Sequence, residues 1–92
     1  MKKFIEAVQQ ASLDLDRNRL NSIKKDLDGR LYQHRLGLVQ ANKKLDVVKT
    51  LNNSGYSEID LDGYEATINA HHKKIDEINR LLETIADILK VI

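Results

Sequence analysis

The sequence predicts an all-α protein: an antiparallel two-helix coiled-coil hairpin with an N-terminal helical overhang, assembling into a dimeric helical bundle. Three observations predict it. Apolar residues recur at alternating four- and three-residue steps along two long stretches, and no proline interrupts either. Turn-forming residues gather in only one place, the run Asn52-Asn53-Ser54-Gly55-Tyr56-Ser57 and the acids just after it.

The second stretch carries the clearer seam: Tyr64, Ile68, His71, Ile75, Ile78, Leu82, Ile85, Leu89 and Ile92. This is a heptad pattern in which a tyrosine and a histidine take seam positions. The first stretch repeats it through Leu20, Ile23, Leu27, Leu31, His34, Leu38, Ala41, Leu45 and Val48. Its one irregularity is the extra four-residue step from Leu27 to Leu31, a stutter beside Gly29 that relaxes the supercoil locally. Folding the chain about Tyr56 superposes the two lists, with Leu45 opposite Ile68, Leu38 opposite Ile75 and Leu27 opposite Ile85. Two antiparallel helices of equal rise require such a pairing.

The elements follow in order within one domain, residues 1–92. A helix covers about 2–50, a connection about 51–62 and a second helix about 63–91. Asp62 followed by Glu65 reads as a capping box opening the second helix, and Lys90 suits the negative end of its dipole. The overhang carries its own stripe, Phe4, Val8, Ala11 and Leu15. Ser12, followed by two acids at 14 and 16, also reads as an N-cap, so a break near residue 12 and a continuous helix both fit the pattern.

One stripe per helix rarely supplies enough apolar area for a stable small fold. Near the C-terminus the stripe widens, with Leu81 and Ile88 flanking Leu82, Ile85, Leu89 and Ile92. So broad a face belongs in a bundle of three or more helices. Its missing partner is assigned to a second copy of the chain, making Phe4, Val8, Leu15, Leu81, Ile88 and Ile92 the oligomer interface. The alternative is residues 2–15 folded back.

Charge is divided unevenly. Residues 1–50 hold eleven Lys and Arg against six Asp and Glu, whereas residues 51–92 hold four against eight. A basic arm beside an acidic arm favours their pairing, Lys49 with Glu65 included, and cancels part of the field that draws in nucleic acid. Arg17, Arg19, Lys24 and Lys25 are the residues on which an anionic ligand would rest. Aromatic residues that stack on bases are nearly absent from that arm.

Residues suited to chemistry are few. His34 and His71 sit in the seam, but the pairing above sets them about one heptad apart, on the order of 10 Å, which is too far to share a metal ion. A polar seam residue of this kind sets register. His72 and Asp76 share a helix face, yet two ligands do not make a zinc site. The run Glu58, Asp60, Asp62, Gly63 resembles the first half of an EF-hand calcium loop. It departs from that loop at position eight, Glu65, and at position twelve, Asn69. Gly29 and Gly37 lie singly inside a helix, where they permit a bend or a close approach. Cysteine is absent, which excludes disulfides and thiolate chemistry.

No catalytic constellation, cofactor site or metal site emerges. The sequence supports a non-enzymatic protein that self-associates and acts through protein–protein interaction, as an adaptor, an assembly factor or chaperone, or a small inhibitor. Accessory proteins of phage and mobile elements are often of this kind. Its partners would be a second copy of the chain and an unidentified protein. The alternative is nucleic-acid or anionic-ligand binding through the basic first helix. The apolar runs are too short for a membrane span and the N-terminus lacks a signal-peptide core, so a cytoplasmic location is expected.

Overall fold

The computed structural model describes all residues, 1–92, as three helices: α1 (Lys2–Leu13), α2 (Arg17–Asn53) and α3 (Asp62–Val91). Helices α2 and α3 pack antiparallel into a rod of 60 × 17 × 15 Å. The chain does not continue its first helix back through the overhang. It breaks at Asp14–Asp16, and α1 folds onto the far end of the hairpin, against both α2 and α3. The folded-back alternative is therefore the one the chain adopts.

The break is built from local chemistry. The Leu15 amide donates to the Ser12 carbonyl at 3.1 Å and the Asp16 amide to that of Ala11 at 2.9 Å, a Schellman ending for α1. Its left-handed position, usually glycine, is Leu15 with φ +53°. Asp16 then caps α2, its carboxylate accepting from the Arg19 amide at 3.0 Å. Ser12 is not the cap. Its hydroxyl bonds back to the Val8 carbonyl within α1.

The other end of α2 closes the same way. Gly55, at φ +81°, takes the left-handed position, with Gly55 and Tyr56 amides donating to Asn52 and Leu51 carbonyls. The Asn52 side chain then holds the connection. Its amide donates to the Ile59 carbonyl at 2.8 Å, and its oxygen accepts from the Ile59 amide at 3.0 Å and the Ser57 hydroxyl at 2.6 Å. Residue 59 is thereby held beside residue 52 before α3 begins. Asp62 is not the cap of α3: the N-cap is Leu61, without a side-chain hydrogen bond. Asp60 supplies the turn, accepting from the Asp62 amide at 3.0 Å, while Asp62 and Glu65 stand in the first turn at the positive end of the dipole.

This connection sets the register, and the register differs from the one that pairing about Tyr56 predicts. His71 lies over Gly37 and reaches His34, and at the far end Arg17 Nη2 reaches the Leu89 carbonyl at 2.8 Å. These contacts shift α3 by four to seven residues toward the start of α2. Apolar residues at alternating three- and four-residue steps offer a seam at more than one alignment, so the apolar pattern alone does not choose among them.

The core occupies the three-helix end: Val8 and Ala11 from α1, Leu20, Ile23, Leu27 and Leu31 from α2, and Ile78 and Ile85 from α3. Toward the connection only two helices meet, and there Ala41, Leu45 and Val48 are buried. No polar residue is buried anywhere. The expected pairing of basic and acidic arms does not take the form of close ion pairs. The two within 4 Å, Lys74–Glu77 at 3.5 Å and Lys90–Asp87 at 3.9 Å, both lie within α3, and Lys49–Glu65 is not among them.

The two mid-helix glycines differ. A methyl group at Gly29 would meet nothing within 4 Å, whereas one at Gly37 would stand 2.6 Å from Cε1 of His71. Gly29→Ala should stabilise the protein by about 1 kcal/mol, raising the melting temperature by several degrees. Gly37→Ala should fail to show that gain, because the imidazole has to move. Thermal melts of the two variants check this, and equal gains would mean that Gly37 is not the slot for His71.

Candidate functional site

Three features stand out on this rod, and each is built by packing at a different level. The first is the junction where the three-helix end gives way to the two-helix end. Gly37 leaves a gap in the α2 surface, and the His71 ring from α3 fills it. This brings Nδ1 of His71 to 3.2 Å from Nδ1 of His34, with ring centroids 5.5 Å apart and planes at 62°. The two histidines are therefore in contact, not a heptad apart. Both are half-buried. In the neutral pair one Nδ1–H donates and the other Nδ1 accepts, which fixes opposite tautomers on the two rings.

The surroundings of this pair are cationic. Lys74 follows His71 on α3, and Arg30 precedes His34 on α2, where its guanidinium lies 4.7 Å from the ring centre of Phe4 on α1. A recess beside His34 is lined by Phe4, Lys25, Asp26, Gly29, Arg30 and Gln33, and Asp26 is its one acid. The His34 imidazole is held below its ordinary pKa of 6.5. Burial is the main cause, followed by the charges of His71, Lys74 and Arg30. Two ring nitrogens are fewer ligands than a structural zinc site uses, and no group of three His, Cys, Asp or Glu is gathered elsewhere.

The second feature is an apolar groove of about 610 Å³ between α1 and α3, lined by Ile5, Val8, Leu13, Leu81 and Ile88 with Gln9, Ser12 and Thr84. It is the remainder of the wide α3 face. Of the residues assigned to an oligomer interface, Val8 is enclosed in the chain's own core, and Phe4, Leu81 and Ile88 pack against that core half-buried. Leu15 stands 69% exposed at the break and Ile92 37% exposed at the C-terminus.

The third feature is a second apolar stripe on α2: Tyr32, Leu36, Val39 and Val47, exposed by 64, 43, 50 and 59%. At 100° per residue these positions lie roughly opposite the seam of Leu31, Leu38 and Leu45. The spacing is present in the sequence, hidden beside the stronger and longer heptad seam.

The remaining candidates are not drawn together. Arg17 is engaged with the Leu89 carbonyl, where its charge suits the end of the α3 dipole. Arg19 and Lys24 are exposed, and Arg19 projects from nearly the opposite side of α2 to Arg17 and Lys24, with Lys25 between. The calcium-loop resemblance has no counterpart in the backbone, which is helical from Asp62 onward and so cannot wrap residues 62–69 around an ion. No helix is long and apolar enough to cross a membrane.

The burial of His34, with the charge of His71 next, gives an expected pH dependence of stability. His34 has a lower pKa folded than unfolded, so below the unfolded value the unfolded state binds more protons. The contribution is whole above about 6.5 and declines as pH falls through that value toward the folded pKa. Replacing His34 and His71 together by Leu should flatten this decline in melting temperature between about pH 6.5 and 5 and raise the melting temperature. A double variant that melts with the parent's pH profile would show that His34 carries no such linkage.

Comparison with protein-family models, with curated proteins and with solved structures gives no match.

Proposed function

We propose that this chain is a non-enzymatic binding protein that works through apolar helix surface, both to a partner protein and to a second copy of itself. The observation that carries the reading is the outer stripe of α2. A helix that is apolar on one side is satisfied by one layer of packing, whereas α2 carries a second, shorter apolar stripe away from α3, interrupted by Lys43 between Val39 and Val47. Tyr32, Leu36, Val39 and Val47 form a ridge of the kind that fits a hydrophobic groove or a neighbouring helix. An aromatic among aliphatics is also the usual make-up of an interface centre. The rod shape adds to this, since a narrow hairpin presents most of its length as surface. An adaptor, an assembly factor or chaperone, and a small inhibitor all work in this way.

The test is a pair of glutamates on the ridge. Val39→Glu with Val47→Glu should leave folding intact, because both side chains are half or more exposed and surface changes cost within about 0.5 kcal/mol each. The variant should lose capture of a partner that the parent retains at high salt from cells expressing the chain. Capture that survives the glutamates but vanishes as salt is raised would move the function to an anionic ligand held by the basic arm.

A further inference from the structure

We propose that α1 is an exchangeable arm: in the self-associated form it leaves its own hairpin and docks on the same seat of a second copy. This rests on the self-association reading above and names the surface that performs it.

The hinge is the first ground. Only Asp14, Leu15 and Asp16 separate α1 from α2, and no glycine or proline stands among them or in the flanking turns. The sequence therefore permits one unbroken helix from Lys2 to Asn53. The folded-back arm instead holds Leu15 in the left-handed region, at φ +53°, and leaves it 69% exposed. A leucine there is strained relative to its helical conformation. Straightening the hinge relieves that strain and replaces the Leu15–Ser12 and Asp16–Ala11 bonds by ordinary helical ones. A short, strained hinge is the setting in which identical elements are exchanged between copies.

The faces are the second ground. Val8 is buried in the seat, and Asp26 lines the recess into which Phe4 reaches. These two residues stand eighteen positions apart, about five turns of an ideal helix. In a straight helix the apolar stripe of α1 and the α1-facing flank of α2 thus project on one side. Two straight helices laid antiparallel then offer each arm to the other's seat, which is the self-complementary contact a two-fold dimer needs. Phe4, Val8, Leu81 and Ile88 keep the contacts they make within one chain and become residues of an interface between chains. Nothing new has to be buried.

The absence of cysteine makes the test direct. Gln9 and Thr84 are exposed residues on opposite walls of the α1–α3 groove. The chain with Gln9→Cys and Thr84→Cys is unfolded, refolded at high concentration, sized by light scattering and treated with a short bis-maleimide. A dimer whose cross-links join two chains is the expected result. A dimer with cross-links confined to single chains overturns the exchange and leaves self-association through another surface. A monomer with internal cross-links overturns both. The hinge gives a second measurement. Leu15→Gly, which accepts the left-handed conformation, should favour the closed monomer by roughly tenfold per hinge, and Leu15→Ala, strained there but helix-favouring, should not. Equal dimer fractions for the two variants would also overturn the proposal.

Discussion

Everything in this molecule hangs on the apolar seam between α2 and α3, and on the fact that the seam is periodic. Burying Leu20, Ile23, Leu27, Leu31, Leu45 and Val48 of α2 with Ile78 and Ile85 of α3 supplies most of the driving force for folding. A seam built from alternating three- and four-residue steps can be buried nearly as well at more than one alignment. The choice falls to features outside the repeat: the three hydrogen bonds of the Asn52 side chain, which hold residues 57 and 59 beside the end of α2. A short connection thereby fixes the alignment of helices 37 and 30 residues long.

The register has consequences for polar groups that it lacks for apolar ones. Leucine against isoleucine is much the same at either alignment, but histidine against histidine is not the same as histidine against alanine. In the adopted register His71 enters the gap left by Gly37 and touches His34, and a contact sensitive to protons appears in the middle of the rod. The cations Arg30 and Lys74 beside it give the charged form no relief.

A hairpin of this width cannot enclose much, and α1 is the answer at one end only. Where α1 covers the hairpin, eight residues form a continuous core; where it does not, three residues of α2 are buried against α3 and the connection. The uncovered length is also where the outer stripe of α2 is exposed. Burial is divided unevenly along the rod: the three-helix end holds most of the core, and the two-helix end leaves Leu36, Val39 and Val47 exposed.

By itself the sequence determined the helices, the hairpin and the seam. Periodicity, the absence of proline and a single cluster of turn residues are local properties that survive any tertiary arrangement. It also marked the wide face of α3 as needing cover and offered residues 2–15 as one of two covers. Tertiary structure decided which cover was used, which seam residue met which, and where the helices were capped. Asp16 and not Ser12 became the cap because the chain turned at Leu15, a left-handed leucine that no propensity would nominate. The histidine contact was out of reach for the same reason as the register: a pattern that repeats every seven residues carries no record of its own phase, and only the geometry of the connection supplies one.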